Sequence, residues 1–99
     1  MINFKNKKIL ITGASGGIER EIVKKFISLD GNVVASGTNI EKLEILKKDF
    51  PNVNVIKFDI NEHSKIEEFI DNATSQLSGL DILINNAGTN MDNLSLRMK

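Results

Sequence analysis

The stretch Ile9-Leu10-Ile11-Thr12-Gly13-Ala14-Ser15-Gly16-Gly17-Ile18 constrains the fold more than any other part of this chain. Three consecutive apolar residues with a β-branched bias describe a strand covered on both faces, as parallel strands are. From Gly17 the apolar period turns helical. Ile18, Ile22, Phe26 and Leu29 share one stripe, Val23 and Ile27 widen it, and Arg20, Lys24 and Lys25 fall outside it. A strand that enters a helix through a glycine-rich turn leaves unpaired backbone N–H groups at the positive end of the helix dipole. Such a turn suits an anion, a pyrophosphate above all, without any basic side chain.

Strands and helices alternate along the rest of the chain, with no internal repeat. Asp30-Gly31 ends the first helix, and Val33-Val34-Ala35 is a second buried strand. Thr38-Asn39-Ile40-Glu41 reads as a capping box that opens a helix whose inner face carries Leu43, Leu46 and Phe50. Pro51-Asn52 breaks it, and residues 53–58 alternate as a strand. Ser64-Lys65-Ile66-Glu67 is a second capping box, preceding a helix buried through Ile66, Phe69, Ile70, Ala73 and Leu77. Gly79 closes that helix, and Leu80 to Ile84 supplies the last strand. The order β-α-β-α-β-α-β predicts an α/β fold in three layers, a parallel sheet of about four strands with helices on both faces. Residues 1–99 form one domain on this reading.

Composition narrows the class of function. Thirteen basic and thirteen acidic residues cancel and are interspersed, so no field exists to draw in nucleic acid or an anionic membrane. Neither partner is expected. The basic start is followed by an apolar run too short for a secretory leader, and no stretch approaches the roughly 18 apolar residues of a membrane span. There is no cysteine, which is compatible with a reducing compartment, and the cytoplasm is the expected location. No Gly-x-x-x-x-Gly-Lys-Ser/Thr occurs, so the lysine and hydroxyl of a P-loop phosphotransferase are not in place.

A second motif, Asn85-Asn86-Ala87-Gly88, stands at the end of the last strand. The glycine spacing after Thr12 departs from G-x-G-x-x-G and resembles the Thr-Gly-x-x-x-Gly-Ile-Gly loop of short-chain dehydrogenases and reductases, and Asn-Asn-Ala-Gly is similar to that family's next motif. The continuation from Thr89 to Lys99 is similar to bacterial 3-oxoacyl-[acyl-carrier-protein] reductases. The resemblance covers nearly all of this chain but only the cofactor-binding front of a family subunit. It implies a Rossmann-type half-fold that binds a nicotinamide dinucleotide. Gly13, Ser15, Gly16, Gly17 and Ile18 would form the phosphate loop. Asp59 and Ile60 would hold the adenine edge, and Asn86, Ala87 and Gly88, beside Asn85, would line the ribose side. The activity implied is hydride transfer from NADPH to a β-keto thioester in fatty acid biosynthesis, with acyl carrier protein as a partner.

After the second strand an acid would favour NAD by binding the ribose hydroxyls. Ser36-Gly37-Thr38-Asn39 holds none, and Thr38 and Asn39 can donate to a 2′-phosphate, which points to NADP(H). Thr38 is equally well explained as a helix cap. His63 reads as a solvated residue near a helix start, and Met91 and Met98 as packing residues.

One departure from the family pattern is serious: Glu19 stands where the third glycine belongs. Glutamate is the better helix former by roughly 0.5 kcal/mol or more and complements the dipole, which predicts a gain for the nucleotide-free helix. Against a phosphate about 5 Å away, a like-charge pair costs about 3 kcal/mol at an effective dielectric of about 20. Two arrangements are open: the side chain swings to solvent and leaves weakened cofactor binding, or its carboxylate acts as a surrogate anion that blocks the site.

In the family a serine and a Tyr-x-x-x-Lys pair act on the substrate oxygen. The resemblance places them beyond Lys99, and the 99 residues contain no tyrosine, so the chain alone is expected to be catalytically silent. The strand ending at Asn85 would lie inside the family's sheet, so here it is expected to present an open apolar edge. That predicts homo-oligomers, a missing C-terminal part or poor solubility. The alternative to a reductase front is a non-catalytic nucleotide-binding or interaction module docking through that edge, or a decayed fragment.

Overall fold

The computed structural model describes residues 4–13, 17–59, 61–85 and 95–98, with the side chains of 17, 18 and 95–98 left aside. Five strands and three α-helices follow in order: β1 (Lys8–Thr12), α1 (Gly17–Ser28), β2 (Asn32–Gly37), α2 (Ile40–Asp49), β3 (Asn54–Lys57), a 3-10 turn (His63–Lys65), α3 (Ile66–Leu77), β4 (Ile82–Asn85) and β5 (Ser95–Met98). The sheet order is β3-β2-β1-β4-β5. The first four strands are parallel, as the alternation of strands and helices predicts.

Two cores sit on opposite faces of the sheet. Ile9 and Ile11 of β1, Val33 and Ala35 of β2, and Ile82 and Ile84 of β4 are buried with Val23 of α1 and Leu43 and Leu46 of α2. Leu10 and Val34 point the other way, against Phe69, Ala73 and Leu77 of α3. The period-2 alternation of strand side chains makes this division, and it explains why β1 and β2 read as unbroken apolar runs. The chain steps outward from β1 to β3 with α1 and α2 on one face. It then returns past β1 to β4, so a crossover of the same hand places α3 on the other face. The strand order therefore reverses at β1, which by the rule for open α/β sheets makes the carboxyl ends of β1 and β4 the expected place for a ligand crevice.

Local chemistry fixes the joints. After α1, Asp30 takes the left-handed conformation at φ 65°, and the Gly31 N–H donates to Phe26 O at 2.9 Å. A Cβ on Gly31 would lie 2.6 Å from Ile9 Cδ1 and 3.2 Å from Phe26 O, so glycine is needed here for the close approach of helix and strand. Arg20 pairs with Asp49 at 2.6 Å and lies over the Phe50 ring, linking α1 to the end of α2. Lys47 Nζ donates to Pro51 O and Val53 O, which draws the chain from α2 into β3.

Four expectations are corrected. Asn39, not Thr38, caps α2: its side chain accepts from the Lys42 N–H at 3.1 Å. At α3 the 3-10 turn carries its own backbone bonds, Lys65 N–H to Glu62 O and Ile66 N–H to His63 O. These occupy amides that a capping box would have served, and no side chain caps the helix. On α1 the centre of the buried stripe is Val23, fully buried, while Ile22, Phe26 and Ile27 are half-buried. Finally, β4 is not an open edge. Ser95–Met98 pairs with it antiparallel, Ile82 opposite Met98 and Asn85 opposite Ser95, so the chain's own backbone satisfies the groups expected to recruit a partner.

Candidate nucleotide-binding site

The carboxyl ends of β1 to β4 lie on one side of the sheet, and the described residues expected to bind a dinucleotide, Gly13, Gly17, Thr38 and Asp59, lie at those ends or just beyond them. β1 delivers Thr12, 3% exposed, and then Gly13 at φ 81°, a left-handed conformation in which a side chain would be strained. The turn therefore begins with the residue its backbone requires. The strand neighbour of Thr12 is Asn85. The Thr12 hydroxyl donates to Asn85 Oδ1 at 2.9 Å and lies 3.5 Å from Ile84 O, tying the two strand ends together. At the opposite end of the same pair, the Asp81 carboxylate accepts from the Lys8 N–H at 2.8 Å and the Asp81 N–H donates to Lys8 O at 2.9 Å. Both ends of the β1–β4 seam are thus fastened.

A cavity of about 530 Å³ opens at the ends of β2 and β3, lined by Thr38, Lys57, Phe58, Asp59, Glu62 and Lys65. It falls within the usual size of small-molecule sites. β2 reaches it through Gly37, which lies beside Lys57 in the parallel register and whose carbonyl accepts from the Phe58 N–H at 2.9 Å. Because Asn39 has taken the cap, the exposed Thr38 hydroxyl has no partner among the described residues. Asp59 turns the chain by accepting from the Asn61 N–H at 2.9 Å through Oδ1. The cavity brings together Thr38 and Asp59 of the expected site. Gly13 and the backbone of Gly17 flank the turn at the end of β1. Ser15, Gly16, Ile60, Asn86, Ala87 and Gly88, together with Met91, lie outside the described residues, as does the side chain of Ile18. His63 is exposed at the start of the 3-10 turn, as expected of a solvated residue.

Glu19 is the anomaly. It sits in the first turn of α1 and is only 1% exposed, and neither carboxyl oxygen has a hydrogen-bond partner among the described residues. It does not swing to solvent. Nor does it accept from any described backbone amide, as a surrogate anion would. Burial pushes its carboxyl up to about 8, so at neutral pH the group is chiefly the uncharged acid. The expected gain for the helix is reversed as well. Holding the proton from an ordinary 4.5 up to pH 7 corresponds to about 3 kcal/mol lost, several times the propensity advantage of glutamate over glycine. The reason is positional: Glu19 precedes Val23 by four residues and so lies on the helix face that packs against the sheet. That spacing was the available signal for its burial. The part of Lys57, Glu62 and Lys65 in the cavity depends on the β2–β3 register, which sequence patterning leaves open.

Among the described residues no group of three or more His, Cys, Asp or Glu could hold a metal ion, and no helix is long and apolar enough to cross a membrane.

Comparison with known proteins agrees with this geometry. Residues 7–99 match the family model described as short chain dehydrogenase. The chain is 41% identical over 99 residues to the 3-oxoacyl-[acyl-carrier-protein] reductase FabG of Rickettsia typhi, covering all of this chain and 40% of that protein. It is 34% identical over 89 residues to 3beta-hydroxysteroid dehydrogenase 2 of Eggerthella lenta, covering 86% of this chain and 34% of the relative. Among solved structures, a short chain dehydrogenase from Bacillus anthracis aligns with a TM-score of 0.77 and 31% identity over 86% of this chain and 36% of its own. A hydroxysteroid dehydrogenase from Escherichia coli aligns with a TM-score of 0.78 and 28% identity, over 84% of this chain and 36% of that one. The chain thus spans about 40% of the length of its FabG relatives. With its parallel sheet, its order reversal at β1 and the match along nearly its whole length, this chain belongs to the short-chain dehydrogenase family.

Proposed function

We propose that residues 1–99 are the NADP(H)-binding front of a reductase that transfers hydride to a β-keto thioester, with an acyl carrier protein presenting the substrate. The observation that carries this reading is the cavity at the ends of β2 and β3, bordered by Thr38 and free of any carboxylate in Ser36–Asn39. The FabG relatives support the substrate class. On this reading Gly13, Ser15, Gly16, Gly17 and Ile18 hold the pyrophosphate against the start of α1. Asp59 and Ile60 orient the adenine, and Asn86, Ala87 and Gly88 border the nicotinamide ribose. The bound cofactor supplies the hydride. The residues here bind and aim it, while the serine and the Tyr-x-x-x-Lys pair that handle the substrate oxygen belong to a further segment.

The residues fit the adenosine end better than the pyrophosphate end, where the buried Glu19 stands in the helix turn. Its raised pKa softens the conflict, because an uncharged acid does not repel phosphate. Binding is weakened by its bulk at neutral pH and further by its charge at higher pH. Isothermal titration of NADPH into the chain, with and without Glu19→Gly, tests the reading. Binding that tightens on substitution supports it, and no binding by either form overturns it. Reduction of an acetoacetyl thioester by NADPH, restored when a polypeptide equivalent to the remaining part of a FabG relative is supplied, tests the reductase assignment. Nucleotide binding without restored turnover leaves a binding module instead.

A further inference from the structure

We propose that Lys57, at the end of β3, is the residue by which this chain selects a 2′-phosphorylated adenine nucleotide. The inference rests on the nucleotide-binding reading above and adds to it the source of the selectivity. In the family resemblance the expected donors follow β2, yet that stretch carries no cation: Ser36, Gly37, Thr38 and Asn39 are all neutral. The positive charge comes from the neighbouring strand. Lys57 is the register partner of Gly37, so its backbone stands one strand spacing, about 4.8 Å, from the residue immediately before Thr38.

Four charged residues line the cavity: Lys57, Lys65, Asp59 and Glu62. Three of them are engaged. Lys65 Nζ lies 3.6 Å from Glu62 Oε2, and Asp59 Oδ1 accepts from the Asn61 N–H. Lys57 has no ion-pair partner among the described residues. It also borders a second cavity of about 280 Å³, lined by Ile56, Phe58, Lys65, Glu68, Phe69 and Asn72. Phe58 stacks on Phe69 with ring centroids 4.2 Å apart, and this pair gives the second cavity an aromatic wall. Lys57 thus lines the first cavity together with Thr38 and carries a charge that no described carboxylate pairs. A phosphate monoester there carries close to two negative charges near pH 7 and several acceptor oxygens. Lysine meets it as a point charge, and the Thr38 hydroxyl adds one directional donor. A free 2′-hydroxyl can still bond to Thr38 but carries no charge for Lys57 to meet.

The test is the ratio of NADPH to NADH affinity, measured by isothermal titration at pH 7 on the whole chain, on Lys57→Met and on Lys57→Arg. Lys57 is exposed on an edge strand and methionine keeps most of its apolar stem, so folding is unaffected, which far-UV circular dichroism checks. The expected result is a preference for NADPH of tenfold or more that falls at least tenfold in Lys57→Met, with NADH affinity unchanged, and returns in Lys57→Arg. Raising the salt concentration is expected to erode the NADPH preference of the parent chain and not that of Lys57→Met. A preference that persists in Lys57→Met overturns the role of Lys57 and leaves the nucleotide site standing, as does equal affinity for the two cofactors in the parent chain. Binding of neither cofactor overturns both.

Discussion

Thr12 and Asn85 face each other at the carboxyl ends of β1 and β4 and share a hydrogen bond of 2.9 Å, from the threonine hydroxyl to the asparagine side-chain carbonyl. The contact lies where the strand order reverses, so it holds together the two strand ends at which the family's nucleotide is expected. Thr12 is buried while Asn85 is exposed, and the bond therefore joins the core to the site.

Thr12→Val removes this donor with almost no change of shape. The exposed Asn85 carbonyl can turn to water, so the loss is that of one ordinary hydrogen bond, about 1 kcal/mol. For a domain of this size that corresponds to a fall in Tm of roughly 4–8 °C. Differential scanning calorimetry checks it, and a Tm unchanged within 1 °C would show that the seam is held by the strand ladder alone.

Gly31 makes a second, sterically defined prediction. A methyl group there meets Ile9 Cδ1 at 2.6 Å and the Phe26 carbonyl at 3.2 Å, so Gly31→Ala is expected to destabilise by about 1–3 kcal/mol in urea unfolding. Shortening the strand residue relieves the first contact. The double variant Gly31→Ala with Ile9→Val is therefore expected to lose less than the sum of the two single losses. Simple additivity would mean that the helix shifts as a body instead of pressing on Ile9.

These two contacts also show what was legible in the residues. The strands of the sheet's centre were readable because β1 and β2 are buried on both faces and carry unbroken apolar runs. Thr12 and Asn85 lie at the ends of such runs. The helix starts were less readable, since capping depends on backbone dihedrals that letters do not fix. Asn39 and Thr38 are adjacent residues of similar capping propensity, and the extended conformation of Asn39 decides between them. β5 was not readable at all. Ser-Leu-Arg-Met contains no β-branched or aromatic residue, and its pairing is a response to the open groups of β4. Within the site, Asp59 and Thr38 came from motif position, whereas Lys57 enters the cavity through strand register, which is a tertiary fact.

Glu19 gives the stability of the fold a definite pH dependence. Its folded pKa, about 8, lies above the ordinary 4.5 of the unfolded chain, so the folded state holds the proton more tightly. Its contribution is fully favourable below about pH 4.5 and is lost progressively as the pH rises toward 8, reaching about 3 kcal/mol by pH 7. Against a total of 5–15 kcal/mol for a typical domain, this is a large fraction. Glu19→Gln, uncharged at every pH, is expected to match the parent below about pH 4 and exceed it by about 3 kcal/mol at pH 7 in urea titrations. Parallel curves for the two proteins between pH 5 and 8 would show that the carboxylate reaches water.

The same proton is expected to govern nucleotide affinity. A pyrophosphate bound at the start of α1 disfavours the ionised carboxylate, so the complex keeps Glu19 protonated to a higher pH than the free chain does. By linkage the affinity is then flat below about pH 7 and falls above about pH 8, by as much as tenfold per pH unit. NADH is the better probe here, because it lacks the 2′-phosphate whose own titration would intrude near pH 6. Titrations from pH 6.5 to 9.5 should show the decline in the parent chain and not in Glu19→Gln or Glu19→Gly. The glycine variant should also bind more tightly throughout, since it relieves the crowding as well as the charge. A decline that survives both substitutions would place the titrating group elsewhere and separate Glu19 from the phosphate.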